Sequence, residues 1–136
     1  MTQQQYMQLA IDTAKSGKTP FGAVVINEVG EYFARFNTTS TDGPMAHAEI
    51  NALKACRNSS PITLYSTAEP CVMCMGSILW HKVKTVYFGV DISQIKKYMP
   101  QIDVPAEHLA RNSFTHCELH SGLLSEECEA LFEDYA

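Results

Sequence analysis

The sequence predicts an α/β fold, three layers α-β-α built on a five-stranded mixed sheet. Helical and strand-like apolar patterns alternate from end to end, and no repeat, low-complexity stretch or interdomain linker interrupts them. With 136 residues, 46% of them hydrophobic, the chain can bury one core without disulfides or extra domains. The whole of 1–136 therefore reads as a single domain.

The elements follow in order. Thr2 and Gln5 have the spacing of a capping box, opening a helix whose apolar face is Tyr6, Met7, Ala10, Ile11 and Ala14 and which ends at Gly17. Pro20 to Ile26 reads as a buried strand, with Glu31 to Phe36 as its hairpin partner across Asn27-Glu28-Val29-Gly30. The loop Thr38 to Pro44, rich in Thr, Ser, Asp and Gly, leads to a helix from about Met45 to Cys56. Ile62 to Ser66 is a third strand running into Pro70, and a helix follows from Cys71 to about Trp80. Val83 to Gly89 is a fourth strand, Ile92 to Tyr98 a short helix, Phe114 to His120 a fifth strand and Ser125 to Tyr135 a closing helix. The order α-β-β-α-β-α-β-α-β-α puts helices on both faces of the sheet.

Charge narrows the partners. The net charge is −5, and the stretch Ser125 to Ala136 carries Glu126, Glu127, Glu129, Glu133 and Asp134 with no Lys or Arg. Phosphate backbones are bound mainly through Lys and Arg, so such a surface argues against a large nucleic-acid partner and leaves free bases and nucleosides as ligands. Met1 to Ala14 has no basic n-region or long apolar run, and no segment approaches a membrane span, so the expected location is cytoplasmic with no membrane partner. Of five cysteines, Cys56, Cys117 and Cys128 show no framework spacing and read as small buried hydrophobes of a reducing compartment.

Two short motifs carry the chemistry. His47-Ala48-Glu49 and Pro70-Cys71-Val72-Met73-Cys74 together supply three zinc ligands, His47, Cys71 and Cys74, and one free carboxylate, Glu49. A structural zinc closes its tetrahedron with four protein ligands, whereas a catalytic zinc keeps three and leaves the fourth position to water. Three apart at a helix start, Cys71 and Cys74 reach one ion, Pro70 is pre-organised for that entrance, and the positive helix end favours the thiolate. His47 and Glu49 point about 200° apart on an ideal helix, so His47 must sit at the very start and the longer Glu49 must reach back. Singly, each has a blander reading: His47 as a core histidine, and the cysteines as a zinc knuckle or redox pair. A redox pair leaves Glu49 unexplained, and a four-ligand site needs a partner from His81, His108, His116, Cys117 or His120.

The H-x-E and P-C-x-x-C pair resembles the signature of the zinc-dependent base deaminases. Met45 to Trp80, with Pro20-Phe21-Gly22-Ala23-Val24-Val25, is similar to the cytidine deaminase superfamily, in its branch of guanine, cytosine and tRNA adenosine deaminases. The resemblance implies the five-stranded fold, a zinc-activated hydroxide attacking an amino-bearing ring carbon, and release of ammonia. Glu49 would take the proton of water, pass it to the ring nitrogen and help the amine leave.

Ile78-Leu79-Trp80, the segment Lys97 to Glu107 with Gln101-Ile102-Asp103, and the ending Phe132-Glu133-Asp134-Tyr135-Ala136 resemble guanine deaminases. By that analogy Phe21 and Trp80 flank the ring, Asn37 and Asp103 hydrogen-bond it, Tyr135 caps it, and Ala48 lies beside it between ligand and carboxylate. The favoured expectation is a deaminase of a free purine base or nucleoside, guanine-like, with zinc as cofactor. The alternatives are a tRNA adenosine deaminase, which Glu69 to Cys74 resembles closely, a cytosine deaminase, and a non-catalytic zinc-binding subunit. Met73, Met75, Ile78 and Leu79 read as core or subunit contacts, and the family habit of pairing through these helices implies a homodimer.

Overall fold

The structure is a computed structural model and describes all of residues 1–136. Helix α1 (Gln3–Ser16) opens with the Thr2–Gln5 capping box and stops at Gly17. Strands β1 (Gly22–Asn27) and β2 (Tyr32–Phe36) form the expected hairpin. A single turn, α2 (Thr39–Asp42), precedes α3 (Ala48–Ala55). Then come β3 (Pro61–Ala68), α4 (Val72–Trp80), β4 (Thr85–Val90), α5 (Ile92–Ile95), α6 (Ala106–Arg111), β5 (Glu118–His120) and α7 (Ser125–Tyr135).

The five strands lie in the order β2-β1-β3-β4-β5. β1 is antiparallel to both β2 and β3, while β3, β4 and β5 run parallel, so the sheet is mixed. The period-two alternation of β1 divides the core between two faces. Ala23 and Val25 join Ala52 and Leu53 of α3 and Met75 and Ile78 of α4 on one side. Val24 joins Met7, Ala10 and Ile11 of α1 and Leu131 and Phe132 of α7 on the other. The result is the expected three-layer α-β-α sandwich.

Three differences from the sequence expectation have local causes. The third strand is longer than expected, Pro61–Ala68, because Thr67 is wholly buried and bound at both polar ends. Its hydroxyl donates to the Pro20 carbonyl at 2.8 Å and accepts from the Gly22 N–H at 3.1 Å. The fifth strand shrinks to Glu118–His120 because Phe114 points outward, 61% exposed. Helix α6 was not expected, since its six residues, Ala106–Arg111, carry too short an apolar pattern to register. No helix is long and apolar enough to cross a membrane.

Candidate active site

The chemistry-bearing residues gather where two helices begin. His47 is the N-cap of α3 and Cys71 the N-cap of α4, both with extended backbone (φ −69°, ψ 158° and φ −68°, ψ 175°). Two residues apart on a continuous helix, His47 and Glu49 would diverge; with His47 outside the first turn, both face the same centre. The loop before α3 is held by Asn51, whose Nδ2 donates to the Phe36 carbonyl at 2.9 Å and to Thr38 Oγ1 at 3.0 Å.

His47 Nδ1 lies 3.3 Å from Cys74 Sγ and 3.6 Å from Cys71 Sγ, and the three donor atoms all fall within 4.8 Å of one another. A tetrahedral zinc with the usual Zn–N and Zn–S lengths sets such nitrogen–sulfur edges at about 3.5 Å. Donor set and spacing therefore fit zinc. None of His81, His108, His116, Cys117 or His120 joins the group, so the centre has three protein ligands.

Charge is distributed unevenly around that centre. A hydrogen bond from Cys74, more than any other influence, lowers the Cys71 thiol to about 4, while the Cys74 thiol, donating to it and buried, is raised. A separate hydrogen bond, between its own ring nitrogen and Cys71, raises the His47 imidazole. Glu49 is 5% exposed, and burial pushes its carboxyl up to about 7. A carboxyl near neutrality can both accept and return a proton, as general acid–base work requires.

A cavity of about 260 Å³ opens onto this centre. His47, Glu49 and Cys71 form its floor, and Phe21, Asn37, Ala68 and Glu69 its sides. The remaining wall is Met99-Pro100-Gln101-Ile102, from the segment between α5 and α6. Asn37 Oδ1 accepts from the Thr39 N–H at 3.0 Å and from Thr39 Oγ1 at 2.9 Å, which leaves the Nδ2 donors for a ligand. Phe21 is backed by Phe132 of α7, ring edge to face at 5.3 Å.

The expected binding residues thus divide. Phe21 and Asn37 line the cavity with the metal ligands and Glu49. Trp80 does not: α4 carries it to the helix end opposite Cys71, where it is 76% exposed against Phe114. Asp103 turns outward to Lys96 at 3.2 Å, its side chain 73% exposed, and Gln101 of the same loop faces the cavity instead. Tyr135 packs against the α1/α7 side of the core, and Ala48, the first residue of α3, is wholly buried on the other side. The sequence reading assigned no site role to Glu69, and it named the segments that hold Met99, Gln101 and Phe132 without choosing those side chains, because which of them turns toward the cavity depends on tertiary packing.

Three metal donors beside a buried carboxylate, at the floor of a small cavity in this fold, define a zinc-dependent hydrolytic deaminase. Residues 1–90 match the cytidine and deoxycytidylate deaminase zinc-binding region, and the chain belongs to that family. Among its relatives, a guanine deaminase of Bacillus subtilis is 34% identical over 79% of this chain and 81% of its own length. A tRNA-specific adenosine deaminase of the same organism is 34% identical over 99% of this chain and 89% of its own length. The solved structure of a guanine deaminase from Nitrosomonas europaea superposes with a TM-score of 0.79 at 20% identity, covering 98% of this chain and 84% of that one, which shows the shared fold.

Proposed function

We propose that this chain deaminates a free amino-heterocycle, a purine base or nucleoside of the guanine type. The cavity is the observation that carries the reading. At about 260 Å³ it lies near the small end of ligand pockets, roughly 300–1,000 Å³, and suits a single heterocycle. Phe21 offers a ring face, Asn37 a pair of donors, and Gln101 an amide on the opposite wall.

His47, Cys71 and Cys74 would hold the metal, which supplies Lewis acidity and makes water nucleophilic near neutral pH. Glu49 takes a proton as water adds to the amino-bearing carbon and hands it to the adjacent ring nitrogen. It then moves the second proton to the departing nitrogen, so that the C–N bond breaks, the ring keeps the oxygen and ammonia leaves. Asn37 orients the ring through Nδ2, and Phe21 packs on its face. Burial of Glu49 keeps this proton traffic away from bulk water.

A second reading, deamination of adenosine in tRNA, is supported by the near full-length match to the relative of that name. The net charge of −5 and the acidic residues of α7, with no Lys or Arg among them, weigh against it. Ammonia release from guanine, guanosine, adenine, adenosine, cytosine and a tRNA anticodon stem-loop, run beside Glu49→Gln, separates the two. Turnover of a free purine, lost by about 10²–10⁴-fold in the variant while metal content is kept, is the expected result. Turnover of the stem-loop alone would transfer the assignment to RNA.

A further inference from the structure

Glu69 sits between the end of β3 and the Pro70-Cys71 pair, and it is a carboxylate only 7% exposed with no cation beside it. Its two oxygens are occupied by backbone donors instead. Oε1 accepts from the Ile92 N–H at 2.8 Å and Oε2 from the Ala106 N–H at 2.7 Å. These are the first residues of α5 and α6, whose opening N–H groups have no partner inside their own helices. The Glu69 N–H in turn donates to the Val90 carbonyl at 2.8 Å, fixing the residue to the end of β4.

Between Ile92 and Ala106 lies the cavity wall Met99–Ile102. Met99 packs against the α1/α7 side of the core, and beyond it the stretch has only local hydrogen bonds. The backbone N–H of Val104 bonds to Ile102, Gln101 Nε2 donates to the neighbouring Pro100 carbonyl, and Asp103 pairs with Lys96, all within the segment. Nearer α5, Gln94 and Tyr98 donate to the Glu129 carboxylate of α7 at 3.1 and 2.8 Å. Residues 100–104 make no hydrogen bond to the sheet or to α3 and α4. Both ends of the wall therefore converge on one side chain, two residues before a metal ligand.

We infer that Glu69 is the positioning residue of the substrate wall: by gripping the Ile92 and Ala106 N–H groups it sets the distance between Met99–Ile102 and the His47–Cys71–Cys74 centre. The inference rests on the cavity being the substrate site proposed above. Glu69 borders the cavity, but both of its oxygens are taken by backbone N–H groups, so it acts through the loop and governs how tightly the ring is held more than how fast it reacts.

Amide hydrogen exchange on the metal-loaded protein without substrate tests the clamp alone. In the native protein the Ile92 and Ala106 amides exchange slowly and together, although they open short helices. In Glu69→Gln, where the amide group keeps one acceptor and turns an N–H toward the other donor, peptides covering 93–105 exchange at least tenfold faster, while α3 and α4 are unchanged. Zinc content stays at one per chain. With the base identified by the ammonia assay, KM rises about tenfold or more and kcat changes less than about threefold.

Fast exchange at Ile92 and Ala106 in the native protein overturns the inference whether or not the variant folds. So does a variant whose loop exchange is unaltered, or one whose kcat falls in step with lost zinc. Protected amides in a protein that turns over none of the panel would instead reject the substrate reading, and the positioning role with it.

Discussion

The indole of Trp80 and the ring of Phe114 lie 4.9 Å apart, tilted by 43°, and both face outward at 76% and 61% exposure. They extend a shallow surface that includes Gly76, Leu79 and Leu109. Aromatic area left in water at the end of a motif helix is the composition of an interface core. We expect two chains to pair over this face. Sedimentation equilibrium of the native protein should give twice the chain mass, and Trp80→Ser should shift the equilibrium toward one chain without altering zinc content. A single-chain mass for the native protein at micromolar concentration would rule the pairing out.

Metal removal has a thermal signature. Ligand that binds only the folded state at a thousandfold excess over its dissociation constant adds about 4 kcal/mol. Chelation should therefore lower Tm by on the order of 10 °C and abolish turnover, and zinc should restore both. Cys74→Ala, which leaves Cys71 and His47 without their third partner, should show neither the drop nor the recovery.

Stability should fall in alkali through Cys128. Its side chain is wholly buried, and burial pushes the thiol up to about 12 from an ordinary 9.0. A group whose folded value is raised contributes fully below pH 9, and the unfolded chain gains as pH climbs from 9 toward 12. The loss approaches about 1.4 kcal/mol per pH unit. Urea midpoints at pH 8, 9.5 and 10.5 should decline less steeply in Cys128→Ala; parallel curves would show that the thiol does not ionise on unfolding.

Gly22 is required by the contact between β1 and α1. A Cβ there would collide with the Ala10 carbonyl oxygen and stand 3.0 Å from the Ala14 Cβ. Backbone cannot yield as a side chain can, so Gly22→Ala should cost about 1–3 kcal/mol, read as a lower urea midpoint at unchanged m. An unshifted midpoint would mean that α1 slides freely on the sheet.

Much of the molecule was legible because its signals are local. The Thr2–Gln5 capping box, the hairpin turn and the inclusive ends of α7 are short-range patterns, and each appears where the sequence places it. The metal centre was legible too, since ligand chemistry restricts residue type and the geometric conflict between His47 and Glu49 resolves in only one way, with His47 as a cap. The cavity wall was less so. Trp80, Asp103 and Tyr135, expected around the ring by analogy, are not among the residues that line the cavity of this chain, and which side chain of a loop turns inward depends on anchors distant in sequence. Asp103 faces Lys96 while Gln101 faces the cavity, and the anchors of that segment, Glu69 on Ile92 and Ala106 and Glu129 on Gln94 and Tyr98, lie far from it in sequence.

The reactive groups stand on helix starts packed into the sheet, whereas the wall opposite them belongs to the separate segment between α5 and α6. If the cavity is the substrate site, chemistry and choice of substrate are carried by different segments of the chain. A lineage could then exchange the segment between α5 and α6, keep its Glu69 anchor, and serve a different base without disturbing a single metal ligand. Grafting the segment between relatives of different substrate would show whether it carries that choice.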